Sequence, residues 1–162
     1  MLRRPAIEKS RRDDPVMPSH SESRILPYPA DLMYAIVADV EKYPEFLPWV
    51  AGLGILRRHG EHAFDAEMRV GFAGFRERYI SRVTLDPAAC TVDVVLVEGP
   101  FRRLENHWRF TPEGEGCRVD FSIAFAFRNP LLDAVAGAAF ERVLMRMAGA
   151  FEERAKALAK PL

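Results

Sequence analysis

The chain has 162 residues, with 23 basic and 23 acidic side chains and a pI near 6.9. This length is enough for one domain with its own core, and zero net charge gives no indication of nucleic acid or an anionic surface as partner. The two cysteines are too few for a disulfide framework and too far apart for a zinc knuckle, which favours a reducing compartment. No segment reaches the roughly eighteen apolar residues of a membrane span. We therefore expect a soluble, cytoplasmic protein.

Residues 1–18 mix acidic and basic side chains with three prolines and few apolar residues. They lack the apolar stretch of a signal peptide. Their acidic residues also argue against a transit peptide, because transit peptides contain few acidic residues. We expect a disordered N-terminal tail here and a folded domain over residues 19–162. Met17 is an alternative to Met1 as the first residue.

The domain begins with a strand and two short helical segments. Alternation predicts the strand over residues 19–26, and Pro27 and Pro29 end it because proline cannot continue a ladder. An amphipathic helix is predicted over residues 30–40, followed by a turn or short helix. The segment 43–49 then holds three aromatic residues pinned by prolines. Two interpretations stay open: aromatic plugs that close one end of the core, or a gate to an apolar cavity.

A run of strands follows, separated by short turns with Gly, Pro, Asp or Glu. The predicted strands cover residues 50–58, 63–72, 75–85, 91–97, 101–110 and 117–127. Parallel neighbours would need long crossover connections, and these are missing. The pattern therefore predicts an antiparallel meander, with about seven strands once the opening strand is included.

One long helix is predicted over residues 130–160. Asn129 suits the N-cap, Pro130 the first helical position and Asp133 the first turn. Apolar residues recur at steps of three and four, at Phe140, Leu144, Met147, Phe151 and Leu158. At 1.5 Å per residue this helix would be about 45 Å long, so a large surface must cover its apolar face.

These elements predict an α+β fold in which a curved antiparallel sheet of about seven strands wraps round the C-terminal helix. The two short helical segments after strand one would cover an end. Because strands diverge from the helix axis toward the rim, the packing leaves an apolar space between sheet and helix. That space is the candidate binding site.

Several stretches carry a family resemblance: VEKYPEFLPW at 40–49, ERYISRV at 77–83, GPFRRL at 99–104, NHWRF at 106–110 and FAFRNPLL at 125–132. Together with the element order, they resemble the coenzyme Q-binding branch of the START-like, polyketide-cyclase-like superfamily, which has the helix-grip fold. The resemblance covers about residues 19–160 of this chain.

The resemblance implies that the protein binds ubiquinone as a non-covalent ligand and supports respiratory electron transport as a carrier or chaperone, without catalysis. Peripheral contact with the inner membrane or with a respiratory complex would follow. Bacterial relatives of this branch also bear the name RatA, a toxin that binds the large ribosomal subunit and blocks subunit association. That activity is the alternative, and a polyketide cyclase or aromatase is the second alternative. No DNA partner is expected.

A quinone needs aromatic and aliphatic walls and one or two donors at its ring end. Tyr79 and Asn106 are the candidate donors, because both alternate in phase with apolar residues. The complete predicted set is Phe46, Trp49, Met68, Val70, Phe75, Tyr79, Phe101, Leu104, Asn106, Trp108, Phe125, Leu132, Phe140, Leu144 and Met147.

Other signals for chemistry are weak. His59 and His62 lie at a turn and are expected on the surface rather than in a metal site, and none of the sequence predicts a metal. Glu77 is in phase with Tyr79 and is the one candidate for a buried acid, although a salt bridge is the commoner role. Arginines form a possible basic patch for ribosomal RNA or lipid headgroups: Arg76, Arg78, Arg82, Arg102 and Arg103.

Overall fold

The computed structural model describes residues 19–72 and 74–159. Its strands are β1 (Ser19–Leu26), β2 (Val50–Arg58), β3 (Ala63–Phe72), β4 (Phe75–Asp86), β5 (Thr91–Glu98), β6 (Phe101–Glu113) and β7 (Gly116–Phe127). Its helices are α1 (Ala30–Ala38), a 3₁₀ helix (Val40–Glu45), α2 (Pro130–Met145) and α3 (Met147–Ala159). The tail predicted over residues 1–18 and the end of the helix predicted at Lys160 lie outside the described residues.

The strands form one antiparallel sheet in the order β1-β7-β6-β5-β4-β3-β2. Each of β2 to β6 pairs with the next strand in the chain, and β1 pairs with β7. The predicted meander is therefore confirmed for β2 to β7, whose connections are too short to cross the sheet. Residues 27–49 connect β1 at one edge to β2 at the other. β1 and β2 are the two edges, and the C-terminal helix lies across the concave face between them.

The hairpin between β6 and β7 is tighter than the loop predicted over residues 111–116. Glu113 pairs with Gly116, so the ladder continues to a two-residue turn. Gly114 has φ of +61°, a left-handed conformation that glycine adopts without strain. The predicted loop is too long, because Thr111, Pro112 and Glu113 belong to β6.

The inner faces of β6 and β7 form the densest part of the core. Inward side chains on these strands are Phe101, Leu104, Trp108, Phe110, Cys117, Val119, Phe121, Ile123, Phe125 and Phe127, each no more than 5% exposed. A bulge between Phe101 and Arg103 shifts the alternation by one residue, which is why Phe101 and Leu104 face the same side.

The C-terminal helix is long, as predicted, but it bends at Arg146, where α2 ends and α3 begins. The Arg146 N–H donates to the Val143 carbonyl at 3.1 Å, a tight i to i−3 bond of the 3₁₀ type that interrupts the α pattern. The bend follows the curvature of the sheet, so that Leu144 before it and Phe151 after it are both buried. The prediction of one continuous helix was wrong at this residue.

The start of α2 is as predicted. The Asn129 side chain accepts a hydrogen bond from the Leu131 N–H at 2.9 Å, and Pro130 occupies the first position. At the other end, the expected burial of Leu158 is wrong, because this side chain is 54% exposed. The helix extends past the core, whose last member on α3 is Ala155.

Candidate ligand-binding cavity

A narrow cavity of about 70 Å³ lies between the concave face of the sheet and the C-terminal helix. Strands β2 to β7 supply one wall, α2 and α3 the other, and the 3₁₀ helix one end. The lining residues are Val40, Tyr43, Leu53, Ala66, Met68, Tyr79, Ser81, Val83, Val94, Leu104, Asn106, Trp108, Ile123, Phe140, Leu144, Met147 and Phe151. The cavity lies between the curved sheet and the C-terminal helix, where the sequence analysis predicts an apolar space.

The predicted site residues fall into two groups. Those that line the cavity are Met68, Tyr79, Leu104, Asn106, Trp108, Phe140, Leu144 and Met147. Those that do not line it are Phe46, Trp49, Val70, Phe75, Phe101, Phe125 and Leu132. Whether any of the first group contacts a ligand stays a prediction.

The predicted residues outside the cavity are structural in this fold. Phe75, Phe101 and Phe125 belong to an aromatic cluster near the start of α2, in which Phe101 and Phe125 lie 5.4 and 4.8 Å from the Phe140 ring. Phe46 packs edge-on against Phe151 at 5.2 Å. Their alternation predicted the inner face of the sheet, but not which end of that face is hollow.

The segment 43–49 closes one end of the core. Leu47 is fully buried, Trp49 is 9% exposed, and Tyr43 packs against Phe151 with ring centroids 5.2 Å apart. Arg154 lies over the outer side of the Phe46 ring at 4.9 Å. The structure shows the aromatic plug, and because Tyr43 of the same segment also lines the cavity, a gate at this end stays a prediction.

Nine lining residues were not in the predicted set: Val40, Tyr43, Leu53, Ala66, Ser81, Val83, Val94, Ile123 and Phe151. Five of them carried a usable signal, because they share a face with predicted residues: Ala66 with Met68, Ser81 and Val83 with Tyr79, Ile123 with Phe125, and Phe151 with Met147. Val40 and Tyr43 had no such signal, since they lie in the 3₁₀ helix.

Asn106 has a structural role at the cavity wall. Its amide nitrogen donates to the Ser122 carbonyl at 3.1 Å, and its oxygen accepts a hydrogen bond from the indole N–H of Trp108 at 2.9 Å. These bonds hold the Trp108 ring in place and satisfy a donor that is otherwise buried. The predicted role of Asn106 as a ring-end donor is weakened, because its oxygen and one N–H are already bonded.

Two hydroxyl groups on β4 face the cavity and have either a weak hydrogen-bond partner or none among the described residues. The Tyr79 hydroxyl donates to the Sδ atom of Met68 at 3.2 Å, and a thioether is a weak acceptor. Burial raises the pKa of Tyr79, so the phenol stays protonated and remains a donor. Ser81 is only 6% exposed and makes no side-chain hydrogen bond to any described residue. These hydroxyls are the groups that a polar ligand atom would meet.

The cavity is otherwise neutral and apolar. Within residues 19–72 and 74–159, its walls include no Asp, Glu, His, Lys, Arg or Cys side chain. Burying an unpaired charge there would be costly, so the cavity suits a neutral molecule. Glu77, the predicted candidate for a buried acid, is half-buried near the β3–β4 hairpin and lies outside the cavity.

The histidine at the β2–β3 turn has a carboxylate partner that alternation did not predict. Asp65 is 5% exposed, its oxygens accept hydrogen bonds from Arg82 at 2.8 and 3.3 Å, and His59 Nε2 lies 3.0 Å away. Hydrogen bonds from Arg82 and then His59 lower the pKa of Asp65 to about 2. The described residues contain no group of three or more side chains suited to a metal ion.

The predicted basic patch is largely neutralised by ion pairs. Arg78 pairs with Glu67 at 2.5 Å, Arg82 is held by Asp65, and Arg103 pairs with Glu105 at 2.7 Å. Most of this face is therefore a salt-bridged strand surface. No described helix is long and apolar enough to cross a bilayer.

A curved antiparallel sheet closed on a long bent helix, with an apolar cavity between them, defines the helix-grip class of START-like proteins. A START superfamily protein from Mycobacterium smegmatis shares the fold, with a TM-score of 0.71 at 23% identity, over 87% of this chain and 99% of that one. The chain belongs to the polyketide cyclase / dehydrase and lipid transport family, whose model matches residues 26–152.

Two curated relatives carry different names. The ribosome association toxin RatA of Escherichia coli K12 is 37% identical over 142 residues, which cover 87% of this chain and 89% of RatA. The mitochondrial coenzyme Q-binding protein COQ10 homolog B of Xenopus laevis is 36% identical over 141 residues, covering 84% of this chain and 57% of that protein. Neither name describes an enzyme.

Solved structures extend the comparison. The solution structure of the 18 kDa protein CC1736 from Caulobacter crescentus is 40% identical, with a TM-score of 0.73, over 90% of this chain and 100% of that one. The Zhui aromatase/cyclase from Streptomyces sp. R1128 has a TM-score of 0.74 at 22% identity, over 87% and 94% of the two chains. At that identity the likeness to an enzyme shows the fold alone.

Proposed function

We propose that the protein binds a neutral isoprenoid quinone, of the ubiquinone type, between the sheet and the C-terminal helix and acts as its carrier in respiration. The observation that carries this proposal is a cavity with apolar walls and two available hydroxyls, Tyr79 and Ser81. Quinone carbonyls are neutral acceptors, and the ring and isoprenoid chain match aromatic and aliphatic walls. The similarity to a coenzyme Q-binding protein supports the same ligand class.

Ligand binding must enlarge the cavity. Its volume of about 70 Å³ is well below that of an occupied ligand site, about 300–1,000 Å³. Met68 and Met147 line opposite walls and are only half-buried, and methionine changes rotamer at little cost. Rotation of the Met68 and Met147 side chains, together with a displacement of the C-terminal helix near Met147, would make room for the quinone ring.

The test is extraction. Protein purified from a quinone-producing bacterium is extracted with organic solvent, and the extract is quantified by mass spectrometry. We expect near-stoichiometric quinone in the wild type and in the surface control Glu153→Ala, and none in Leu144→Arg or Trp108→Ala. Equal quinone in all four proteins would contradict the proposal.

Leu144 and Trp108 are core residues, so their substitution can unfold the protein. The variant Ser81→Leu therefore accompanies them, because it fills the polar end of the cavity from a strand that keeps its pairing. If Ser81→Leu melts like the wild type and still carries quinone, the cavity is not the binding site.

A second candidate function is association with the ribosome. The observation that favours it is the 37% identity to RatA over 87% of this chain. Sucrose-gradient sedimentation with purified 30S and 50S subunits tests it directly. Co-migration with the large subunit, unaffected by Ser81→Leu, would support a ribosomal role that does not use the cavity.

A further inference from the structure

Helix α2 is apolar on two opposite faces. One face packs on the sheet through Phe140 and Leu144. The opposite face carries Leu131, Val135 and Met145, which are 71, 75 and 49% exposed. The exposed alanines of the same turns, Ala134 and Ala138, join them into one stripe. A helix that is apolar on both sides is normally covered on both sides.

This stripe, the outer face of α2, is flanked by cations. Arg128 precedes the helix, and Arg142 and Arg146 stand at its C-terminal end, all three exposed. None of them pairs with a carboxylate of the described residues. Arg142 and Arg146 also border a small surface recess with Phe72 of the β3–β4 hairpin. The apolar stripe and the arginines at its two ends therefore form one continuous surface.

Acidic side chains do not balance these arginines. On α2, Asp133 is turned toward the sheet, where its Oδ1 accepts a hydrogen bond from the Phe127 N–H at 3.4 Å. Glu141 is the other acid of the helix and is half-buried at the side of the stripe. The surface as a whole therefore complements an anionic partner.

The partner must cover apolar side chains and accept hydrogen bonds from guanidinium groups at the same time. RNA would pair with the arginines but leave Leu131 and Val135 in water. A twofold contact between copies would cover the leucines and valines but would add a second set of unbalanced arginines. A bilayer with anionic lipids meets both needs, because acyl chains cover the stripe and phosphates bind the arginines.

We propose that the outer face of α2 docks on the surface of a bilayer that contains anionic phospholipid. The stripe from Leu131 to Met145 is about 21 Å long, which lets it lie in the plane of the headgroups. Apolar insertion supplies the affinity, and the arginines make it depend on lipid charge and salt. The docking needs no bound quinone, so it can be tested independently of the proposed quinone binding in the cavity.

The experiment is co-sedimentation with vesicles that contain no quinone. One set is phosphatidylcholine alone, and the other contains phosphatidylglycerol as well. We expect binding to the anionic vesicles that weakens as salt rises. Leu131→Asp/Val135→Asp should weaken it about a hundredfold, since each lost apolar insertion is worth about tenfold. The matched control is Leu158→Asp, an exposed leucine on α3.

A second pair of double variants, each of which removes two arginines, tests whether binding requires the charge of α2. Arg142→Gln/Arg146→Gln should remove the preference for anionic vesicles. Arg57→Gln/Arg109→Gln loses the same charge from exposed strand positions and should retain the preference. All substituted positions are exposed, and melting temperatures close to the wild-type value will show that the variants are folded.

Five outcomes would overturn the proposal. The wild type could bind neither kind of vesicle, or both equally at all salt concentrations. Leu158→Asp could weaken binding as much as the α2 variant. Leu131→Asp/Val135→Asp could convert a dimer to a monomer in analytical ultracentrifugation without changing vesicle binding, which would assign the face to a second copy. The same variant could lose binding to ribosomal subunits and keep binding to vesicles, which would assign the outer face of α2 to the ribosome.

Discussion

The Tyr79 hydroxyl donates its hydrogen bond to the Sδ atom of Met68, 3.2 Å away, across the paired strands β3 and β4. A phenol inside an apolar cavity usually has an oxygen acceptor, and this one has a thioether, which accepts weakly. The bond is therefore easily exchanged for a better one when a ligand carbonyl arrives.

Because the bond to Met68 is weak, we predict that loss of the Tyr79 hydroxyl changes the affinity for quinone but not the stability of the fold. Tyr79→Phe should weaken quinone binding about three- to tenfold, the value of one neutral hydrogen bond, and should leave the melting temperature nearly unchanged. Quenching of tryptophan fluorescence by a short-chain quinone measures the affinity, since Trp108 lines the cavity. Tyr34→Phe, a tyrosine outside the cavity, is the control. Unchanged affinity in Tyr79→Phe would remove this hydroxyl from the site.

Asn106 should behave in the opposite way. Asn106→Leu leaves the indole N–H of Trp108 and the Ser122 carbonyl without their partners. We expect a loss of about 1–3 kcal/mol in the free energy of unfolding by urea, because a buried donor is left unsatisfied. A variant that keeps its stability but loses quinone would instead show that Asn106 binds the ligand.

Gly99 limits the space beside Tyr79. A Cβ atom at Gly99 would lie 2.5 Å from the Cβ of Tyr79, so Gly99→Ala must displace the tyrosine or its strand. We expect a destabilisation of about 1–3 kcal/mol, together with weaker quinone binding. Gly54→Ala is the matched control, since nothing lies within 4 Å of its added Cβ. Equal unfolding curves for the two variants would contradict the predicted contact.

Asp65 predicts a stability change in acid. Hydrogen bonds from Arg82 and His59 lower its pKa from 3.8 to about 2 in the folded protein. A carboxyl with a lowered pKa stabilises the fold above its unfolded pKa, and this contribution is lost as pH falls from about 4 toward 2. The wild type should therefore lose more stability than Asp65→Asn across this window, as measured by urea unfolding at each pH.

The comparison with Asp65→Asn isolates one group among several carboxylates that titrate in acid. Asp93→Asn serves as the control, because it removes another carboxylate that pairs with a histidine, His107 at 2.7 Å. Parallel pH curves for the wild type and Asp65→Asn would mean that the Arg82 contacts do not persist in solution.

Much of this architecture follows from local patterns. The alternation along β6 and β7 placed Leu104 and Trp108 on the inner face, and the helical spacing placed Phe140 and Leu144 opposite them. Both patterns depend only on the geometry of one element. Prolines and a good N-cap fixed the ends of β1 and the start of α2 for the same reason.

What was missed depends on tertiary contacts. Alternation put Asp65 on the outer face, and only the register that sets it opposite Arg82 explains its burial. The hollow part of the inner face could not be located, because it depends on where the bent helix leaves the sheet. The stripe of Leu131 and Val135 was likewise not recognised as exposed, since a sequence does not show which of two apolar faces packs inward.

The bend at Arg146 divides the helix into two halves that both pack on the core, and only one of them is also held by ion pairs of the described residues. Two ion pairs tie α3 down: Arg24 with Glu152 at 3.0 Å, and Glu45 with Arg154 at 2.8 Å. Within the described residues no ion pair holds α2, which rests on apolar packing. Swinging α2 outward therefore breaks no ion pair, whereas moving α3 breaks two. The half of the helix without ion pairs is also the half proposed to touch the bilayer, so the two proposals together place the opening of the cavity and the contact with lipid on the same helix.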